Sequence, residues 1–275
     1  MSMHVSRLIF LFCLFLASTQ LAAQVVVDVS TERSLYLAYE PLLLTVRIHN
    51  LSGNALLLAD DASHQWFSFC VETLSGLPIA PSNPHDEVAP ISLHPGEMLS
   101  RTINLTSFYP LGDFGTYRLR AMVYVPEFHR YFSSSPRTIE ITEGRLLWQQ
   151  SVGIPSKEQG VINKRTVALL SHRNAEHTLL YLRIDDSDHD SIFCTYSLGP
   201  MIAHGKPEVL FDRVNHIHLL FQEAPGYFSY VHSNLDGKVI ARRSWRSSNN
   251  HPSLVLTPQG TVHVSSQFSG NYQRH

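Results

Sequence analysis

The side chains with the greatest chemical reach lie in the second half of the chain. Asp186-x-Asp188-x-Asp190 sets three carboxylates at alternate positions of a polar segment, the spacing at which oxygen ligands take a hard cation such as calcium. A helix-loop-helix calcium site would add a glycine near Ser191 and a glutamate near Ser197, and the chain has neither, so a solvated acidic hairpin tip accounts for the same residues. His216-Ile217-His218 would put two imidazoles on one face of a strand, a geometry that zinc uses. No further ligand is apparent in the sequence. Arg242, Arg243, Trp245 and Arg246 offer charge and stacking to an acidic or sugar ligand, and they also alternate as an outer strand face does. Glu208, Asp212, Glu223 and Asp236 supply carboxylates, two of which, well placed, would suffice for glycoside hydrolysis; each also has an ordinary surface explanation. There is no GxSxG, HExxH, CxxC, phosphate-cradling glycine loop or dinucleotide fingerprint. No catalytic residue is assigned on this basis.

The elements that must position these residues show an internal repeat. Pro207 to Gln222 lies over Pro252 to Gln267 without a gap at an offset of 45, matching Pro207 with Pro252, His218 with His263 and Gln222 with Gln267. The return of His218 as His263 points to a structural place in each unit, such as a hydrogen bond across strands. A third copy, His177 to Leu198, lies beside Gly226 to Trp245 and aligns Tyr181 with Tyr230 and Leu182 with Val231 at an offset of 49. Asn234-Leu235-Asp236-Gly237 is a hairpin signal between extended runs. Each unit reads as four strands, near 208–212, 216–222, 227–233 and 238–245. That pattern resembles the four-stranded meander of a β-propeller blade, and 45 residues is a blade's length. Ser233 to Gly237 resembles the aspartate hairpins of sialidase-like propellers only loosely, because its Asp and Gly are adjacent. Propellers close with about four to eight blades. Two units and part of a third leave the ring open, which implies either an atypical propeller-like stack or a homo-oligomer paired through the edge from Thr261 to Phe268.

From Gln24 to Thr142 the pattern is one of short strands and turns. Leu42, Leu44, Val46 and Ile48 share one face of a strand while Thr45, Arg47 and His49 share the other. Further strands are expected near 25–30, 55–59, 67–73, 98–105, 115–125 and 138–142, a number that suits a two-sheet sandwich. Asp113-Phe114-Gly115-Thr116-Tyr117-Arg118-Leu119 resembles the tyrosine corner of immunoglobulin-like domains, and Leu93-His94-Pro95-Gly96-Glu97 resembles the tight turn of bacterial immunoglobulin-like modules. Leu119 stands where antibody domains carry their second cysteine, so the resemblance implies a sandwich held by apolar packing alone. Pro78 to Pro90, with four prolines and an acidic pair, reads as a long exposed loop, a contact surface or a plain connection. Glu143 to Ser156 reads as a linker becoming the first strand of a second domain, with Trp148 available to pack between the two.

Arg7, the apolar run Leu8 to Ala17 and the small pair Ala22-Ala23 read as a signal peptide over residues 1–23. The run falls short of the roughly 20 residues a bilayer span needs, so no membrane span is expected in the mature chain. Cleavage leaves 252 residues with 20 Lys and Arg against 23 Asp and Glu, a net charge of −3 that argues against nucleic acid as a partner. Cys70 and Cys194 remain, each expected as a small buried hydrophobe, with an interdomain bridge as the alternative. The expected architecture is all-β, an immunoglobulin-like sandwich over 24–142 followed by incomplete propeller-like repeats over 143–275. The expected function is an exported, non-catalytic binding or interaction module, secreted or periplasmic, with a protein or glycan partner. A carbohydrate-active hydrolase or its accessory subunit is the alternative, and an inhibitor-like use of the sandwich is a third reading. Calcium on Asp186, Asp188 and Asp190 is the one cofactor expectation.

Overall fold

The computed structural model describes residues 24–82, 88–155, 162–173, 177–186, 191–247 and 251–265. The expected signal segment, residues 1–23, lies outside the described residues, as does the middle of the proline-rich loop, 83–87. The chain is all-β and nearly all of its pairing is antiparallel. It forms two compact units, neither continuous in sequence. One takes the chain up to Glu32, with Leu43–Ile103 and Tyr117–Thr138; the other takes Arg33–Leu42, Asn104–Thr116 and everything from Ile139 on.

The first ten strands are β1 (Val25–Thr31), β2 (Leu35–Leu37), β3 (Leu43–Asn50), β4 (Leu56–Leu58), β5 (Phe67–Thr73), β6 (Ile91–Leu93), β7 (Met98–Asn104), β8 (Gly115–Val125), β9 (Arg130–Ser133) and β10 (Arg137–Thr142). In the first unit β3 lies between β1 and β7. The register Val27↔Ile48 and Val29↔Val46 buries Val25, Val27 and Val29 beside Leu44, Val46 and Ile48, the alternation of a strand pair with one wet side. β8 pairs with β5 and β9 and buries Tyr117, Leu119, Ala121 and Val123. Leu119 is fully buried. Cys70, on β5, is exposed and free, which corrects the expectation of a buried thiol; its side chain points to the wet face beside Arg120. Cys194 is half-buried and also free.

The second unit starts with a knot in its N-terminal stretch. Glu40, 3% exposed, holds Arg33 at 2.6 Å and accepts the Leu37 N–H with its other oxygen, while Arg33 Nη1 donates to the Tyr181 hydroxyl at 3.2 Å. Burying a carboxylate is costly without such partners. Leu37 then covers Leu170 and Tyr181, and Arg183 donates to the Ala38 carbonyl.

Two four-stranded antiparallel meanders follow. β11 (Arg145–Pro155), β12 (Ile162–Arg173), β13 (Thr178–Asp186) and β14 (Ser191–Met201) form the first in sequence order; β15 (Glu208–Phe211), β16 (Ile217–Ala224), β17 (Tyr227–Ser233) and β18 (Val239–Arg246) form the second. They pack face to face through Val167, Leu169, Leu182, Ile184, Ile217, Leu219, Phe221 and Val231. Leu182 and Val231, aligned at offset 49, enter this interface together, so the two meanders meet through matching faces. Trp148 packs beside the same cluster, its ring 6.2 Å from that of Phe211. It packs, half-buried, within the second unit.

The 45-residue repeat holds in three dimensions. β15 and β16 pair as Glu208↔Leu220 through Phe211↔Ile217, and β19 (Ser253–Leu256) and β20 (Val262–Ser265) pair as Ser253↔Ser265 through Leu256↔Val262, the same register moved by 45. The turn is conserved in form but not in residue. Asp212 and Thr257 each donate their main-chain N–H to the carbonyl of the residue four on and accept the N–H of the residue three on, and the positive φ falls on that third residue, Asn215 in one and Gly260 in the other. Asn234 repeats the arrangement between β17 and β18, with Gly237 at φ +76°. This is the three-residue hairpin loop whose last position must be left-handed. β19 and β20 pack Leu254 and Val262 onto Leu220 and Phe228 of the second meander's outer face.

Two outcomes are expected from this packing. A Cβ on Gly237 would run into Cys194 Sγ as well as sit in left-handed backbone. Gly237→Ala should therefore cost about 2–4 kcal/mol in urea unfolding, combining backbone strain with overpacking. Burial pushes the Cys194 thiol up to about 11, so mass mapping after brief alkylation at pH 8 should find Cys70 modified and Cys194 intact until the protein is unfolded.

Candidate functional site

The chemistry-bearing residues of the second meander sort by the pleat of its strands. On the face away from the first meander, His218 on β16 lies directly opposite His232 on β17; Tyr230, two residues before His232, is opposite Arg243 of β18, and Phe228 is opposite Trp245. Arg242 points the other way, donating to the Leu198 carbonyl with Glu223 3.7 Å away. Of the basic cluster seen in the sequence, Arg243, Trp245 and Arg246 face one groove and Arg242 does not.

At one end of this face the imidazoles meet a carboxylate. The Asp212 turn directs Oδ1 to the backbone N–H groups of Val214 and His216, at 2.9 and 2.8 Å, and this leaves Oδ2 facing the rings. Oδ2 stands 3.4 Å from His218 Nε2 and 3.7 Å from His216 Nδ1, while His232 Nε2 is 3.1 Å from His216 Nδ1. The His218 and His232 rings stack at 4.4 Å. His218 is 4% exposed, and its Nδ1 lies 2.7 Å from the Tyr230 hydroxyl. Asp212, His218 and His232 thus bring one ligand atom each within 4.8 Å of the others. Burial holds the His218 imidazole below the ordinary histidine value against the pull of Asp212. Burial, with His218 and His216 close by, holds His232 down as well. Asp212 loses solvent too, but the N–H groups of His216 and Val214 and the neighbouring imidazoles outweigh that and keep its carboxyl below the usual range. At neutral pH Asp212 is a carboxylate beside the neutral rings of His218 and His232.

His216 and His218 were legible as a two-imidazole pattern, while Asp212 and His232 as their companions were not. The signal was present in the hairpin: a strand pair turning at 223–226 places residue 232 opposite residue 218. The expected structural role of the recurring histidine holds for His218, which bonds across to β17, but not for His263, which is exposed beside Thr261. Of the acidic triplet, Asp186 ends β13 opposite Ser191, and Asp188 and Asp190 lie outside the described residues. The carboxylates considered for hydrolysis are held apart by separate duties. Glu208 accepts the Leu254 N–H at 2.6 Å, Glu223 binds Ser229 and Arg242, and Asp236 pairs with Arg165 at 2.6 Å.

Beside the cluster the outer face opens into a groove of about 590 Å³ between β17–β18 and β20. Tyr230 and His232 belong to both, and Arg243, Trp245, Arg246 and His263 complete its polar and aromatic lining. No carboxylate lines it among the described residues. Among the described residues no helix is long and apolar enough to cross a membrane.

No protein-family model matches this chain, and no curated protein matches it in sequence. Among solved structures it is similar to Spo0M, the sporulation control protein of Bacillus subtilis, at 11% identity and a TM-score of 0.31, over 62% of this chain and 83% of that one.

Proposed function

We propose that the chain is an exported, non-catalytic binding module in which an immunoglobulin-like sandwich carries propeller-type meanders, acting at the cell surface or in the periplasm, and that its ligand is an acidic glycan. The observation that carries this reading is the groove on the second meander, which Arg243, Trp245 and Arg246 line and into which no carboxylate intrudes among the described residues. Guanidinium groups bind carboxylate or sulfate with paired donors, and an indole stacks on the apolar face of a sugar ring. β19 and β20 lie over that face through Leu254 and Val262 on Leu220 of β16 and Phe228 of β17, with Tyr230 and Trp245 packed against the same cluster. Arg243 and Arg246 are exposed beside them, and the half-buried Trp245 lies between the cluster and the groove.

Hydrolysis is the less favoured use, since Glu208, Glu223 and Asp236 each hold a structural contact. The reading is tested by titrating the chain with uronate-containing and sulfated oligosaccharides beside neutral ones. Binding should favour the acidic ligands and weaken as salt is raised, and Trp245→Ala or Arg243→Ala should each lower affinity about 5- to 30-fold, the equivalent of a stacking or charge-assisted contact. Release of shortened product over hours would overturn it, as would equal binding of neutral and acidic sugars.

A further inference from the structure

We infer that Asp212, His218 and His232, with His216 Nδ1 beside them, form a binding site for a divalent transition metal of the zinc class. The ligand types and the spacing both point there. A tetrahedral zinc with bonds near 2.0–2.1 Å sets its ligand atoms about 3.3 Å apart. His218 Nε2 lies 3.4 Å from Asp212 Oδ2, at that length, and the ligand atoms of Asp212, His218 and His232 all lie within 4.8 Å of one another; His216 Nδ1 stands 3.7 Å from that oxygen and 3.1 Å from His232 Nε2. Calcium and magnesium take oxygen ligands, so a set with one carboxylate and three imidazoles selects against them.

The surroundings are those of a positioned site. Asp212 Oδ1 is fixed by two backbone N–H groups, which aims Oδ2 at the rings. In the tautomer with the proton on His218 Nδ1, the Tyr230 hydroxyl accepts a hydrogen bond from it and Nε2 is free to ligate, the kind of outer contact that orients metal-bound histidines. Bound metal would pin β16, β17 and the turn at 212–216 together. Without metal the same atoms share ring protons among themselves. The inference does not rest on the glycan reading, because its donors are complete without any groove ligand.

The test is titration of the chelator-treated full chain with Zn²⁺ by calorimetry, and with Co²⁺ by visible absorption. One equivalent should bind tightly, Co²⁺ should give the strong visible bands of tetrahedral coordination, and Zn²⁺ should raise the melting temperature. Asp212→Asn is the informative variant, because Asn234 makes the same pair of turn bonds to Asp236 and Lys238 and so shows that asparagine supports this turn. Asp212→Asn and His232→Gln should each weaken Zn²⁺ at least tenfold and remove the melting shift, while His94→Ala and His204→Ala at exposed positions should change neither. Trp245→Ala should bind glycan poorly yet keep the metal. Weak uptake that is equal in the parent, Asp212→Asn and His232→Gln, or an octahedral Co²⁺ spectrum, would overturn the inference.

Discussion

The matched apolar faces of the two meanders are the contact on which the second unit depends. Neither four-stranded sheet has a core of its own; Leu169 and Leu182 from one and Leu219 and Val231 from the other are buried only because the sheets meet. Once that face is committed, the pleat leaves no choice for the residues between. Tyr181 must point outward from the first meander, and His218, Tyr230 and His232 must point outward from the second. A polar cluster on the outer face is therefore a direct result of where the leucines and valines went, and a slip of one residue in register would exchange the two sets.

The two outer faces are treated differently. On the first meander, Leu37 and the Arg33–Glu40 pair seal Tyr181 completely, and the charged groups are satisfied by one another and by main chain. On the second, β19 and β20 cover Leu220 and Phe228, and the groove beside them is lined by side chains that tolerate water, among them Arg243, Arg246 and His232. Equivalent tyrosines illustrate the contrast, since Tyr181 is locked to Arg33 and Tyr230 bonds to His218 at the groove wall.

Much of this was legible from residues alone, and the remainder has identifiable causes. The strands at 67–73, 115–125 and 227–233 fall where alternation placed them because each is long enough to show a period of two. β2 and β6, three residues each, lie outside the expected strands, whereas β4, equally short, falls within the one expected at 55–59. The 45-residue offset predicted both strands and turn of the last pair, since turn geometry needs only an acceptor at the first position and a residue that tolerates left-handed backbone at the fourth. The site was half visible: His216 and His218 are neighbours in sequence, but His232 joins them through strand pairing and Asp212 through the fold of a turn. Cys70 misled because composition says that cysteines are buried and cannot say which side of β5 faces water.

The hydrogen bond from Arg33 to Tyr181 spans 148 residues of chain. The segment that seals the first meander emerges early in synthesis, yet the surface it seals is finished only after β13 and β14 have been made. Closure over such a separation is slow in chains that fold by non-local pairing. Until it happens, Leu170 and Leu179 remain without their cover, a window in which the growing polypeptide needs protection from its neighbours. The same dependence means that the latter half of this protein, cut free at Glu143, would lack a piece of its own interior.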